Sequence, residues 1–183
     1  MATRSETIEL AVLGLLHEKP MHGYELRKRL NLLLGWLLSF GSLYPTLKKM
    51  LRSGLIEERT PTVSASLRPK IVYQLTTAGQ GEFERRLGDV GPAAWEDETF
   101  RIRFTFFSRT GAENRLRVLE GRRLRLQERL DRIQTQLELT QKEMDTYATE
   151  LQRHGVESVE REVRWLSDLI NAERARPPEQ KPS

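Results

Sequence analysis

The chain has 183 residues, 38% of them hydrophobic and 31% charged, and its 30 Lys+Arg against 26 Asp+Glu give a formal net charge of +4. That length suits one domain with a helical extension, or two small domains. No apolar run approaches the roughly 20 residues that cross a bilayer, the absence of cysteine excludes disulfides and thiolate metal sites, and His17, His22 and His154 are too scattered to suggest zinc.

Residues 1–91 carry 13 Lys+Arg and 9 Asp+Glu, whereas residues 92–183 carry 17 of each, so the excess positive charge lies wholly in the first half. A basic head joined to a charge-balanced body fits a nucleic-acid-binding domain with a partner-binding extension, although ordinary solvated charge gives the same totals. The start of the chain, with Arg4, Glu6 and Glu9, lacks the basic-then-apolar order of a signal peptide. A cytoplasmic protein is expected, without a membrane segment.

In chain order, Ser5 to His17 reads as a helix with Ser5 as its cap and Ile8, Val12, Leu15 and Leu16 as its apolar stripe. Lys19-Pro20 ends it and Met21-His22-Gly23 reads as a turn. Tyr24 to Leu33 forms a second helix, stopped by Gly35. The stretch from Asn31 to Phe40, with Leu32, Leu33, Leu34, Trp36, Leu37 and Leu38, is unusually apolar, which suits extra core first, and otherwise the wall of a ligand cavity or an interface.

Gly41 to Gly54, GSLYPTLKKMLRSG, is a third helix in which Leu43, Leu47, Met50 and Leu51 make one stripe. Ser42, Tyr44, Thr46, Lys48, Lys49 and Arg52 fall on the other faces. Pro45 is expected in the first turn, where a missing N–H costs nothing. Leu55 to Thr60 and Lys70 to Thr76 read as strands, because Ile71, Tyr73 and Leu75 alternate with Val72, Gln74 and Thr76. Pro61 to Pro69 is a polar loop between them. Three helices and a hairpin make a winged helix-turn-helix, with the third helix as the DNA reader.

For that reader, Ser42, Tyr44 and Thr46 can meet phosphates or base edges, and Lys48, Lys49 and Arg52 can neutralise backbone phosphates. Ser64, Ser66, Arg68 and Lys70 on the loop suit contacts in the flanking groove or to its backbone. In the bland reading Tyr44 is a core residue and the lysines are a solvated face.

Past residue 91 the pattern changes. Residues 91–110 are expected as a junction, where Trp95, Phe100, Phe104, Phe106 and Phe107 cluster. From Leu116, the apolar positions Leu119, Leu126, Leu130, Ile133, Leu137, Met144, Tyr147 and Leu151 follow a 3-4 repeat broken only at Arg123 and Thr140. Such a repeat specifies one long helix of roughly 54 Å whose stripe another helix must cover. His154-Gly155 is expected to break it, and Val156, Val159, Val163, Leu166 and Ile170 then mark a shorter helix that folds back or crosses to a partner. The expected domains are 1–90, 111–175 and a tail at 176–183, in a mainly α protein with a small β-hairpin. A monomeric antiparallel hairpin is the alternative to a coiled dimer.

Three blocks carry a family resemblance: ETIELAVLGLLHEKPMHGYELRKRL, FGSLYPTLKKMLRSGLIEE and RPKIVYQLTTAGQGEF, together spanning residues 6–83. In order and spacing they resemble the PadR-like transcriptional regulators. The WEDETFRIRFTFFSR segment and the helices after it look like the members with a longer C-terminal body. The resemblance implies a dimeric DNA-binding regulator, most often a repressor, with Gly41 to Arg52 as recognition helix, Thr62 to Lys70 as wing, and the C-terminal helices as dimer interface. Two reading heads related by a two-fold axis call for a palindromic double-stranded operator.

The resemblance also implies a small aromatic effector, for which Trp36, Trp95, Phe100, Phe104, Phe107 and Trp165 are the candidates, although an aromatic cluster is more often core than pocket. No G-x-S-x-G, glycine-rich phosphate loop, H-E-x-x-H or cysteine nucleophile is present, so neither enzymatic activity nor a cofactor is expected. The competing reading is a coiled-coil interaction protein whose winged helix binds protein.

Overall fold

The structure is a computed structural model and describes residues 3–35, 39–59, 71–140 and 145–176. Its elements are α1 (Arg4–Glu18), β1 (Met21–His22), α2 (Gly23–Leu34), α3 (Phe40–Arg52), β2 (Ile56–Arg59), β3 (Val72–Leu75), α4 (Thr77–Gly88), α5 (Asp97–Thr105), α6 (Ala112–Thr140) and α7 (Thr146–Ala175). They separate into two units, residues 1–110 and 111–183. Among the described residues, no helix is long and apolar enough to cross a membrane.

The first unit is built around α1, which is buried continuously from Thr7 to Leu16 rather than along one stripe. A helix apolar on every side belongs inside. Its cap is Thr3 and not Ser5: Thr3 Oγ1 accepts from the Glu6 amide at 3.2 Å, and the Glu6 carboxylate accepts from the Thr3 amide at 2.6 Å. That reciprocal pairing needs an acidic residue three places on, which Ser5 lacks. Gly35, at φ 72°, ends α2 in the left-handed conformation that glycine adopts at low cost.

Met21 and His22, expected in a turn, instead form β1. The sheet order is β1-β3-β2, both pairings antiparallel, with Met21 opposite Tyr73 and Ile56 opposite Leu75. The two hairpin strands are shorter than expected, with Thr60 and Lys70 lying outside the described residues. Met21, Ile56 and Tyr73 carry the sheet into the core, where they join Leu26, Leu30, Leu43, Leu47 and Met50.

The helix α4 had no counterpart in the sequence reading. Thr76 caps it by accepting from the Gly79 amide at 3.0 Å, while its hydroxyl donates to the Gly54 carbonyl at 2.6 Å. Gly79 lies against the Leu55 carbonyl, where a Cβ would overlap it. Residues 91–110, expected as a junction, are built into the first unit. Pro92–Trp95 and Phe107–Arg109 form 3-10 turns on either side of α5. Ile102 and Phe106 are buried, and Phe106 meets Phe83 edge-on at 5.4 Å.

The second unit is an antiparallel helix pair. Arg115 Nε donates to Glu173 at 2.6 Å, Arg122 Nε to Glu162 at 3.0 Å, and Arg174 Nη2 to Glu120 at 2.6 Å. The expected helix through Leu151 is therefore two helices. α6 is described to Thr140, and α7 starts at Thr146, capped by Asp145, whose carboxylate accepts from the Ala148 amide at 2.8 Å. His154 and Gly155 sit inside α7, contrary to the expected break. One interior glycine costs a helix only about 1 kcal/mol, which a helix of that length carries.

Candidate nucleic-acid interface

Ser39 sets the start of α3, accepting from the Ser42 amide at 3.2 Å through its hydroxyl. The helix thus begins at Phe40, and Pro45 lies in its second turn rather than its first. Lacking an N–H, Pro45 offers nothing to the Gly41 carbonyl one turn back. Leu43, Leu47 and Met50 are fully buried, so the inner face of α3 is fixed on the core and its outer face is presented at a set angle.

That outer face carries most of the expected reading residues. Ser42, Tyr44, Pro45, Lys48 and Arg52 are exposed. A shallow groove is lined by Gly41, Tyr44, Pro45, Lys48, Leu51 and Arg52. One lysine, one arginine and a phenol flank an apolar floor there, a mixture suited to phosphates, sugars and base edges. The Tyr44 hydroxyl reaches toward the start of α2, within 3.7 Å of where a Gly23 Cβ would stand. The next residue, Tyr24, is 68% exposed. Tyr73, below in the sheet, has its phenol pushed up by burial first, and then by Glu58 and Tyr44.

Two expected residues stand differently. Thr46 is only 7% exposed, and its hydroxyl donates to the Ser42 carbonyl at 3.1 Å. Lys49 is exposed like Lys48, but its ammonium lies 2.6 Å from Glu9 Oε1, on a side chain of α1 that is 3% exposed. Glu9 went unnoticed in the sequence, although a carboxylate inside ETIELAVLGLL is a signal that a cation must come to it. Arg86 of α4 is the second cation on Glu9, at 3.2 Å, and also donates to Glu82 at 2.7 Å. Hydrogen bonding to Arg85 first, and then to Arg86, lowers the Glu82 carboxyl to about 2. The wing candidates Ser64, Ser66, Arg68 and Lys70 lie outside the described residues.

The effector candidates divide. Phe100, Phe104 and Phe107 pack on one another, with ring centroids 5.8 Å apart for Phe100 and Phe104 and 5.0 Å for Phe104 and Phe107. Phe100 is buried, while Phe104, Phe107 and Trp95 are half-buried. Trp165 belongs to α7 in the second unit, and Trp36 lies outside the described residues.

The dimer candidates likewise divide. Leu119, Leu126, Val159, Leu166 and Ile170 are buried between α6 and α7 or beside them, and Leu116, Leu130, Ile133, Leu137 and Val163 are half-buried. Tyr147 and Leu151 are 87% and 70% exposed. Met144 lies outside the described residues.

No curated protein matches the chain in sequence. Among solved structures, Bacillus subtilis PadR in complex with operator DNA is 24% identical over 94% of this chain and 99% of that one, with a TM-score of 0.43. Bacillus subtilis PadR in complex with p-coumaric acid is 21% identical over 96% of this chain and 100% of that one, with a TM-score of 0.41. A Thermoplasma acidophilum protein described as a transcriptional regulator is 34% identical over 43% of this chain and 75% of that one, with a TM-score of 0.40. The model of the transcriptional regulator PadR-like family matches residues 12–85, from within α1 to the last turn of α4. The chain belongs to the PadR-like family of winged-helix transcriptional regulators.

Proposed function

We propose that this regulator is a homodimeric repressor that reads a palindromic operator with the exposed face of α3. The observation that carries the reading is the two-sidedness of that helix: Leu43, Leu47 and Met50 lock one face into the core, and Ser42, Tyr44, Lys48 and Arg52 stand exposed on the other. Lys48 and Arg52 are one helical turn apart and suit neighbouring phosphates; Ser42 and Tyr44 suit the groove edge. The protein would act in the cytoplasm, on the nucleoid when bound.

The dimer rests on the second unit. Leu124, Tyr147, Leu151 and Trp165 are exposed on α6 and α7, and the half-buried Leu130, Ile133 and Leu137 continue the apolar surface along α6. A helix pair that leaves such residues to water fits burial against a second copy. In light scattering, wild-type protein is expected at twice the chain mass, and Tyr147→Glu with Leu151→Glu is expected to shift it toward monomer. A wild-type monomer at micromolar concentration would remove the two-fold reading. For the dimer, titration of promoter DNA should saturate at two chains per site.

The reading extends to a small aromatic effector, supported by the half-buried Phe104 and Phe107 rings. An operator complex that no member of an aromatic-acid panel dissociates would remove that part alone.

A further inference from the structure

The second lysine of the pair at 48 and 49 has a different task from the first. Lys49 lies about 100° further round α3 than Lys48. Its ammonium is on Glu9, at 2.6 Å, and Glu9 is buried in α1 among Ile8, Leu10 and Val12. Glu9 also accepts from Ser5 Oγ at 3.2 Å and from Arg86 Nη2 at 3.2 Å. Arg86 is shared with Glu82, so Lys49 is the one cation on Glu9 with no second carboxylate among the described pairs. Without Lys49 the buried Glu9 carboxylate would be left with Arg86, which it shares with Glu82, as its one described cation, and under-compensating a buried charge is costly. A DNA phosphate could take Lys49 only by imposing that loss. Lys48, Lys49 and Arg52 are all exposed, and among the described ion pairs only Lys49 is held by Glu9.

Resting on the reading of α3 as the DNA-binding helix, we infer that Glu9 is a positioning residue for that helix: by holding Lys49 it fixes the roll of α3 and keeps this lysine out of the phosphate contacts. The tether joins α1, α3 and α4 through one carboxylate, so the exposed face is registered on the most deeply buried helix of the unit. The second basic residue is thereby part of the fold, and the number of phosphates neutralised per head is one fewer than the basic residues of α3 would give.

The salt dependence of DNA binding counts phosphates, because each one neutralised contributes about 0.9 to the slope of log K against log salt. In full-length protein, Lys49→Met is expected to keep the wild-type slope even if affinity falls, whereas Lys48→Met makes the slope shallower by about 0.9 per head. Glu9→Gln is expected to free Lys49 and steepen the slope, and Glu9→Gln with Lys49→Met to restore it. A slope that becomes shallower in Lys49→Met as it does in Lys48→Met overturns the inference, and this single variant decides even where Glu9→Gln fails to fold. A second readout needs no DNA: on brief treatment with acetic anhydride, Lys49 should be acetylated more slowly than Lys48, and Glu9→Gln should bring the two rates together. Equal rates in the wild type overturn the tether. A wild-type protein with no salt-dependent DNA complex sinks the DNA reading, and the positioning role with it, while the acetylation rates still judge the tether separately.

Discussion

Thr76 and Gly79 do opposite things within one turn of α4. The threonine supplies a hydrogen-bonding oxygen that the helix start lacks, and the glycine withholds a side chain so that the Leu55 carbonyl can approach. Gly79→Ala is therefore expected to destabilise the protein by about 1–3 kcal/mol in chemical denaturation, since backbone and not a flexible side chain must give way. An unchanged midpoint would mean the close approach is not required. Nearby, Glu82 is held at about 2 by Arg85 and Arg86, below an ordinary value of 4.5. A carboxyl lowered on folding contributes stability that is full above its unfolded value and lost as pH falls through its folded one. Glu82→Gln should thus lower the melting temperature at pH 7 and lose most of that effect by about pH 2. A difference independent of pH would assign the loss to packing. These two residues sit in YQLTTAGQGEF, which was legible as a family signature; the capping and close approach beneath it were not.

At the scale of elements, legibility followed how strongly each segment's pattern departs from its surroundings. The helix α3 has a clean apolar stripe and was found to within a residue at its start, while its cap, Ser39, followed a run whose apolar character masked the boundary. The helix α4 is short, polar and interrupted by two glycines, so periodicity passed over it. A two-residue strand such as β1 has no period at all, and exists because β3 offers it a partner. The error in the second unit has the opposite cause: the heptad pattern continues in register past Thr140, so the sequence reads as one helix where the structure has the antiparallel pair α6 and α7. Gly155 then looked like a terminator although it occupies an ordinary helical position with open space around its Cα. Gly155→Ala is expected to stabilise the protein by about 0.5–1 kcal/mol, as alanine does in an exposed helix interior. Destabilisation would restore the break at His154-Gly155.

The whole molecule comprises two units. Residues 1–110 present α3 on a core that includes the segment expected to be a junction, and residues 111–183 pair α6 with α7 through buried arginines, Arg115 and Arg122, matched to Glu173 and Glu162. The winged helix was readable because its elements are local and its motifs dense. The candidate site was readable in outline, as an exposed basic face, but charge counting could not separate Lys48, which is free of Glu9, from Lys49, which is held by it. That distinction depends on a residue forty positions away in sequence.

The most direct measurement is fluorescence anisotropy of full-length protein with DNA from immediately upstream of its gene, against a scrambled duplex, between about 50 and 200 mM salt, for the wild type and Lys48→Ala. The account predicts preference for the promoter DNA, steep loss of affinity with salt, and a shallower slope in Lys48→Ala by about 0.9 for each reading head engaged. A complex indifferent to salt, or a slope that Lys48→Ala leaves unchanged, would contradict the assignment of the exposed face of α3 to DNA.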